Sequence, residues 1–274
     1  MVSKVNCGIT GSTGVLGALF VKKNNFNFIK FKGNITNKNQ VNRWVKINNF
    51  DLVLHFAAIA ATKNVNNNYK YALDVNFQGT KNLIDAIVKN KNNIKWFFFS
   101  STSHVYDFSK KQIKETDKIN PISKYGFTKF KAEKYIENMS YKYNFKYCIG
   151  RIFSFSSPKQ SSSFLIPSLK RRIMETNKNI IHLENLNHYR DFISLKDVCR
   201  VIYFLWKKKF NGTINVASGN KFYLKNIARK MAKKKNKKLF FLNNNKETSL
   251  VADISKLKKL GWKPKYKNTF SGIF

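Results

Sequence analysis

Tyr125 and Lys129 stand four positions apart in Tyr125-Gly-Phe-Thr-Lys129, a spacing that puts a phenol and an ammonium on one face of a helix. A cation beside a phenol favours the phenolate and draws its pKa from about 10 toward neutrality, which suits a general acid/base. In a lysine-rich chain that spacing arises easily by chance, and its position gives it meaning. Ser101-Thr102-Ser103 closes an apolar run that reads as a strand over 94–100. Hydroxyls at the carboxyl end of such a strand face the ligand crevice of an open parallel sheet, where one can hold a substrate oxygen beside Tyr125. Near the start of the chain, Thr10-Gly11-Ser12-Thr13-Gly14-Val15-Leu16-Gly17 falls between a strand and a helix. Glycines there permit a tight turn, close backbone approach to a pyrophosphate and close helix packing. The G-x-x-G-x-x-G spacing differs from the G-x-G-x-x-G of many dehydrogenases.

Groups so placed need a rigid frame, and the hydrophobic periodicity supplies one. Strand patterns over 5–10, 26–31, 51–56, 94–100 and 145–152 alternate with helix patterns over 15–23, 38–47, 69–88 and 124–141. Strands alternating with helices of about ten residues predict an α/β fold, a Rossmann-like doubly wound parallel sheet. After Arg151 the pattern loosens into the polar loop 154–163, which sets the expected boundary. Residues 1–155 read as the dinucleotide-binding domain and 156–274 as a smaller C-terminal substrate-binding lobe. A helix over 196–208, a strand over 213–216 and a helix over 224–233 indicate that segments around 190–219 return to the first domain.

The chain has 274 residues, 43% of them hydrophobic and 25 of them Phe, enough to bury a large interior and to exclude disorder as its main state. Against this stands its charge: 52 Lys plus Arg and 14 Asp plus Glu give +38. Such an excess points first to nucleic acid or an anionic membrane. Only 7 of the 52 are Arg, however, whereas base and phosphate reading leans on the bidentate guanidinium. The basic residues are also spread along the chain, the one dense run being 230–238. A solvated lysine surface is the favoured reading over an anionic partner. Cys7, Cys148 and Cys199 have no paired spacing and read as buried thiols of a reducing, cytoplasmic compartment. No secretory leader is read at the start, and the longest uncharged apolar run, 52–61, is half of what a membrane helix requires.

Taken together, the motifs resemble the extended short-chain dehydrogenase/reductases, specifically the nucleotide-sugar epimerase/dehydratase/reductase family, nearly end to end. The matching pieces are Thr10–Gly17, Asp51-x-x-x-His55-x-Ala57-Ala58, Val75-Asn76 with Gly79-Thr80, Ser100-Ser101-Thr102-x-x-Val105-Tyr106 and Tyr125-x-x-x-Lys129. Further on come Arg190-Asp191-Phe192-Ile193 with Asp197-Val198, Asn215-Val216-Ala217-Ser218-Gly219, and Leu260-Gly261-Trp262-Lys263-Pro264.

The resemblance implies that Tyr125 is the catalytic acid/base, that Lys129 tunes it and binds the nicotinamide ribose, and that Thr102 orients the sugar oxygen. Gly11, Gly14 and Gly17 would line the pyrophosphate, with Thr13, Val15, Asn34, Ile35, Ala57, Ala58 and Asn76 completing the cofactor site. Asn34 stands where relatives have the Asp of G-D-I. Thr102, Ser103, His104, Ser154 and Arg190 would meet the substrate. Arg190 would reach the diphosphate or ribose of a nucleotide-diphosphate sugar, the alternative being a structural pair with Asp191 or Asp197. His104 is read either as a second acid/base or as a contacting or packed residue. Dehydratases of the family carry Asp-Glu after the catalytic Thr, whereas Ser103 and His104 stand here, so 4,6-dehydration is not expected.

The expected reaction is hydride transfer at a sugar carbon, by a 4-epimerase or a 4-keto-sugar reductase. The short first βαβ unit tilts toward the reductase, while the R-D-F-I segment looks more like the epimerase branch. With Lys30, Phe31 and Lys32 after the second strand and no acid, NAD or NADP is admitted. The resemblance implies a homodimer, with no nucleic-acid or membrane partner and no metal. The competing classes are a non-catalytic dinucleotide-binding regulator on the same fold and a basic nucleic-acid binder.

Overall fold

A computed structural model of the chain describes residues 4–90, 94–242 and 246–266. The elements run β1 (Asn6–Thr10), α1 (Val15–Lys23), β2 (Asn27–Lys30), α2 (Lys38–Lys46), β3 (Leu52–His55), α3 (Thr62–Asn67), α4 (Tyr69–Leu73), a π-helical turn (Asp74–Gln78), α5 (Gly79–Lys89) and β4 (Trp96–Thr102). A 3₁₀ turn (Ser103–Val105) leads on toward α6 (Lys124–Tyr143), followed by β5 (Tyr147–Ile152), α7 (Leu165–Met174), β6 (Ile180–Glu184), β7 (His188–Arg190) and α8 (Leu195–Lys207). The last elements are β8 (Gly212–Val216), β9 (Phe222–Tyr223), α9 (Leu224–Lys233), β10 (Lys238–Leu242), β11 (Thr248–Leu250) and α10 (Ser255–Lys259).

Six strands form one sheet in the order β2-β1-β3-β4-β5-β8, with parallel pairing from β2 through β5. The Rossmann-like parallel sheet expected from the periodicity is therefore present. The chain leaves β1 for β2 on one side and returns to β3 on the other. The carboxyl ends of β1 and β3 thus flank the crevice where such sheets take their ligands. Burial on both faces explains why β4 carries four aromatic residues in a row, Trp96, Phe97, Phe98 and Phe99, all fully buried. Phe97 and Phe99 pack with α2, α5 and α6 through Trp44, Leu83, Ile84 and Ile136. Trp96 and Phe98 face the other way, onto Trp206 of α8 and Phe56. Burying each such side chain contributes about 2–3 kcal/mol.

The described residues divide into two compact units. One comprises the residues up to Val105, with Pro121–Ile152 and Cys199–Ile214; the other comprises Tyr106–Asn120, Phe153–Val198 and the residues from Asn215 onward. Residues 106–120 belong to the second unit although the sequence reading put them in 1–155. The reason is their backbone bonds: Ser109 and Ile113 donate to the Ser249 and Val251 carbonyls, and Asp253 donates back to Ile113. The second unit holds a parallel β6/β10 pair and a three-stranded β11-β7-β9 sheet. Its core is built from Ile166, Leu169 and Ile173 of α7, Leu183 of β6, and Ile227 and Met231 of α9.

The helix expected over 69–88 is not continuous: it opens into the π turn at Asp74–Gln78. Such turns widen a helix locally and recur at functional sites. Here the turn carries Asn76, and just after it Gly79 lets Ile35 approach so closely that a Cβ would sit 2.8 Å from it.

Candidate active site

The glycine turn follows β1 directly. Gly11 has φ +68°, and a Cβ there would lie 2.5 Å from the Ala57 amide nitrogen. Gly17, in the first turn of α1, would put a Cβ 2.2 Å from the Gly11 carbonyl oxygen. Both positions accept only glycine, the first for conformation and contact, the second for contact alone. Thr10 closes the arrangement, its hydroxyl accepting the Ala57 amide at 3.3 Å. Helix α1 begins at Gly14 without a side-chain cap and without an acid in its first turn, so its leading amides are left for an anionic group. Thr13 and Gly14 are exposed, Val15, Ala57 and Ala58 are partly buried, and Ile35 is buried. The turn therefore fits the pyrophosphate of a dinucleotide. Asn34 uses its side-chain oxygen locally, accepting the Thr36 amide at 3.0 Å and hydroxyl at 2.9 Å.

Asn76 is fully buried and engages protein on all sides. Its Oδ1 accepts the Ile59 amide at 2.8 Å, and its Nδ2 donates to the Ile59 carbonyl and the Thr128 hydroxyl, both at 3.0 Å. Thr128 in turn donates to the Tyr125 carbonyl at 2.8 Å. This expected cofactor residue thus clamps the first turn of α6, the helix that carries Tyr125 and Lys129.

That helix is aimed by its N-cap. The Ser123 hydroxyl accepts the Gly126 amide at 3.0 Å and lies 3.0 Å from His104 Nδ1. The end of β4 and the start of α6 are pressed together: a Cβ on Gly126 would lie 2.0 Å from the His104 carbonyl oxygen. Thr102, 6% exposed, accepts the His104 amide at 3.2 Å and hydrogen-bonds the Tyr125 phenol. The His104 ring stands edge-on to Tyr125 with centroids 6.0 Å apart, and Ser103 is buried. The geometry thus brings Thr102, Tyr125 and His104 together and places Lys129 one turn along α6.

Lys129 is 1% exposed, its ammonium 4.0 Å from the centre of the Phe99 ring. The proximity of phenol and ammonium predicts a lowered tyrosine pKa, and the structure corrects this. Burial pushes the Tyr125 phenol up, the Thr102 bond only partly opposing. Burial likewise pulls Lys129 down to about 7, with Glu133 opposing. Desolvation penalises whichever form is charged, so Tyr125 holds its proton and Lys129 titrates near neutrality.

Beneath this pair lie His55, Ser101, Glu133 and Arg151, of which sequence reading gave no role to Glu133 or Arg151. His55, fully buried, has Nδ1 2.6 Å from the Thr10 hydroxyl and Nε2 2.9 Å from that of Thr80. Burial and then Lys129 bring it down to about 3, so it is neutral. Glu133, Arg151 and Ser101 form a buried cluster, the carboxylate accepting from the guanidinium and the hydroxyl. Glu133 lies four positions beyond Lys129, the same spacing that marked the Tyr–Lys pair, and that was the available signal.

In the second unit, Arg190 of β7 pairs with neither Asp191 nor Asp197. Its guanidinium lies 5.4 Å from the Phe108 ring centre, and its buried Nη1 has no hydrogen-bond partner among the described residues. Burial draws its pKa down to about 10. An unpaired guanidinium nitrogen in a buried setting is what a phosphate or carboxylate oxygen would satisfy. Ser154 is bridged to Phe192, its carbonyl taking the Ile193 amide at 2.8 Å.

Asp191, fully buried, holds the second unit together. One oxygen accepts the Ser218 amide and hydroxyl, at 2.9 and 2.7 Å, and the other accepts the Gly219 and Ala252 amides, at 2.8 and 3.4 Å. An amide in place of the carboxylate would aim N–H groups at N–H donors whichever way it turned. Asp191→Asn is accordingly expected to destabilise the protein by about 2–3 kcal/mol, read as a lowered midpoint in denaturant unfolding.

Among the described residues no helix is long and apolar enough to cross a membrane, and no His, Cys, Asp and Glu cluster could hold a metal.

Comparison with known proteins agrees with this geometry. UDP-glucose 4-epimerase of Lactobacillus helveticus is 26% identical over 264 residues, 87% of this chain and 79% of that protein. GDP-6-deoxy-D-talose 4-dehydrogenase of Aggregatibacter actinomycetemcomitans is 28% identical over 221 residues, 77% and 74% of the two chains. Among solved structures, UDP-glucose 4-epimerase of Thermotoga maritima with UDP-glucose superposes with a TM-score of 0.85 at 22% identity, covering 98% of this chain and 96% of that one. RMD of Pseudomonas aeruginosa with NADPH gives 0.87 at 18% identity, covering 99% and 97%. The sequence profile of the NAD dependent epimerase/dehydratase family matches residues 8–217. The glycine turn on β1, the Thr102–Tyr125 contact and Lys129 one turn further along α6 lie within that span, and the chain belongs to the NAD dependent epimerase/dehydratase family of nucleotide-sugar enzymes.

Proposed function

We propose that the chain transfers hydride at C4 of a nucleotide-diphosphate sugar with NAD or NADP, and that it does so as a 4-epimerase. The observation that carries this is the hydrogen bond between the Thr102 hydroxyl and the Tyr125 phenol, with Lys129 buried one turn beyond. When bound, the nicotinamide supplies the centre that accepts the hydride from C4 and returns it. The glycine turn at Gly11, Gly14 and Gly17 holds the pyrophosphate, Lys129 the ribose. Thr102 orients the C4 oxygen toward Tyr125. In the oxidative half Tyr125 first releases its own proton to solvent, and as the phenolate it takes the C4 hydroxyl proton while the C–H electron pair departs with its hydrogen and C=O forms. In the reductive half the phenol gives the proton back to the new alkoxide. A phenol that holds its proton, as burial favours here, is suited to that second step.

Ser103 and His104 leave no carboxyl acid beside Thr102, which supports hydride transfer over 4,6-dehydration. The epimerase reading is supported by the Lactobacillus relative and the R-D-F-I segment at Arg190. A second reading, a 4-keto-sugar reductase, is favoured by the short run from Phe31 to Asn34 and by the 4-dehydrogenase relative. Neither Lys30 nor Lys32, both exposed, excludes the 2′-phosphate of NADP. A cytoplasmic enzyme fits the three buried free thiols, and a homodimer through α6 fits its exposed Phe127 and Tyr141. The test is incubation with each nicotinamide cofactor and a panel of UDP-, GDP- and dTDP-sugars and their 4-keto forms. Interconversion of C4 isomers without net cofactor consumption is expected. Stoichiometric oxidation of reduced cofactor by a 4-keto sugar would identify the reductase, and no reaction with any of them would overturn the proposal.

Arg190 is assigned to the substrate diphosphate. Arg190→Ala is expected to raise the KM for the nucleotide sugar by about 10–100-fold, the worth of one charged hydrogen bond. Thermal stability should hold or rise, since an unsatisfied buried nitrogen is removed. An unchanged KM would return the residue to a structural role.

A further inference from the structure

We propose that Glu133 is a positioning residue that keeps Lys129 charged, its carboxylate fixed by Arg151 and Ser101, so that the protonation of the Tyr125–Lys129 pair is set from the buried side of α6. The inference rests on the assignment of Tyr125 and Lys129 as the working pair and adds the group that governs it.

Tyr125, Lys129 and Glu133 occupy successive i, i+4 positions and so share one face of the helix. Glu133 is fully buried and Arg151 is 5% exposed. The guanidinium grips the carboxylate through Nε, 3.2 Å from both oxygens, and through Nη2 at 2.8 Å. Ser101, the residue before Thr102 on β4, donates to the same carboxylate. These bonds prevent the carboxylate from swinging toward Lys129, and among the described residues no carboxylate pairs directly with that ammonium. Glu133 therefore acts through space across one helical turn. The Lys129 Nζ rests on Phe99, with its hydrogens left for a ligand.

A buried carboxylate bound to a single arginine gains little for stability over an apolar pair of similar volume. Its effect on a second buried cation gives it a use. The other groups facing Lys129 do not supply that charge. His55 on β3 is neutral, Tyr125 on α6 is held protonated by burial, and Arg151 on β5 carries the opposite sign. Glu133 is what raises Lys129 against its burial.

The test compares the wild type with Glu133→Gln and Glu133→Asp by two measurements. The first is the titration of Lys129, from the pH dependence of its acetylation by a trace of acetic anhydride, quantified at that peptide by mass spectrometry. The second is the pH profile of turnover. Removing the charge is expected to lower the Lys129 midpoint by about one unit or more, with Glu133→Asp returning toward wild type. The alkaline limb of turnover should move down with it, so that activity falls roughly tenfold at pH 8 and far less at pH 6. Because Glu133→Gln removes the carboxylate that Arg151 grips and can fail to fold, the double replacement Glu133→Gln with Arg151→Met is measured beside it. It should show a midpoint lowered by less than in Glu133→Gln, since a cation leaves with the carboxylate. A Lys129 midpoint unmoved in every folded variant would overturn the proposal. If no nucleotide sugar turns over, the acetylation titration still decides the role of Glu133, while the failure of turnover counts against the proposed activity alone.

Discussion

Replacing Tyr125 with phenylalanine is expected to lower turnover by about 10²- to 10⁴-fold, the usual worth of a positioned acid/base, while cofactor affinity changes by less than about threefold. The phenol oxygen bonds Thr102 and has no part in the glycine turn proposed to hold the pyrophosphate. Its removal therefore acts on the step in which a proton moves and leaves ground-state binding of the dinucleotide alone. The ring stays beside His104, so α6 keeps its seat against the 3₁₀ turn. Cofactor titration by fluorescence quenching and initial rates under saturating substrate separate the two effects. Equal losses in affinity and turnover would mean that Tyr125 holds a ligand and does not exchange a proton with it.

The second large effect is expected at Gly17. A methyl group there meets the Gly11 carbonyl oxygen at 2.2 Å and the Ser12 Cα at 2.9 Å. These are backbone atoms of the glycine turn, and they cannot step aside as a side chain would. Either α1 moves off the sheet or the turn opens. Gly17→Ala should therefore cost about 2–4 kcal/mol of stability through overpacking and weaken cofactor binding by about 100-fold. The contrast is Gly14→Ala, where the nearest atom is the Gly11 oxygen at 3.3 Å. There stability should change by less than about 0.5 kcal/mol. Denaturant unfolding of the two variants without cofactor, followed by cofactor titration, checks both statements. A Gly17→Ala protein as stable as the wild type would show that α1 can lie elsewhere.

The parts of this molecule legible in sequence are those where one local pattern meets one physical demand. Strands buried on both faces read as apolar runs, and helix α1 and helix α9 fall where their periodicity puts them. The glycine turn, the Tyr–Lys spacing and the hydroxyl run announce themselves because each needs particular residue types at fixed intervals. The missed elements lack that advantage. β6 and β10 have every second residue exposed, and Asn, Lys and Glu interrupt or flank their apolar positions. The π turn at Asp74–Gln78 looks like ordinary helix, because widening by one residue leaves the periodicity almost untouched. Residues 106–120 come directly after the first domain in the chain but bond to β11 and to the stretch 251–253 beyond it, a relation that no local pattern encodes.

The same holds within the site. Asn76, assigned to the cofactor from the resemblance, is a fully buried amide that satisfies its own hydrogen bonds on Ile59 and Thr128, a structural duty that the motif alone does not announce. The expectation of a lowered tyrosine pKa weighed charge and left out burial, and burial is the larger effect at both Tyr125 and Lys129. The excess of +38 looked at first like the signature of a polyanion partner. The structure gives definite settings to a few of those cations, Lys129 on Phe99, Arg151 on Glu133 and Arg190 beside Phe108, and two of these three are assigned to small anionic ligands.

The most direct test of the central claim follows the C4 hydrogen. Nucleotide sugars carrying deuterium at C4 are supplied to the enzyme with unlabelled cofactor, and cofactor and product are recovered for mass spectrometry, with Tyr125→Phe run in parallel. Passage of deuterium to the nicotinamide ring and back to C4 of the product, with slowed turnover of the labelled sugar and loss of transfer in the variant, is the predicted result. Conversion of the sugar with no deuterium ever reaching the cofactor, or transfer at an undiminished rate in Tyr125→Phe, would contradict it.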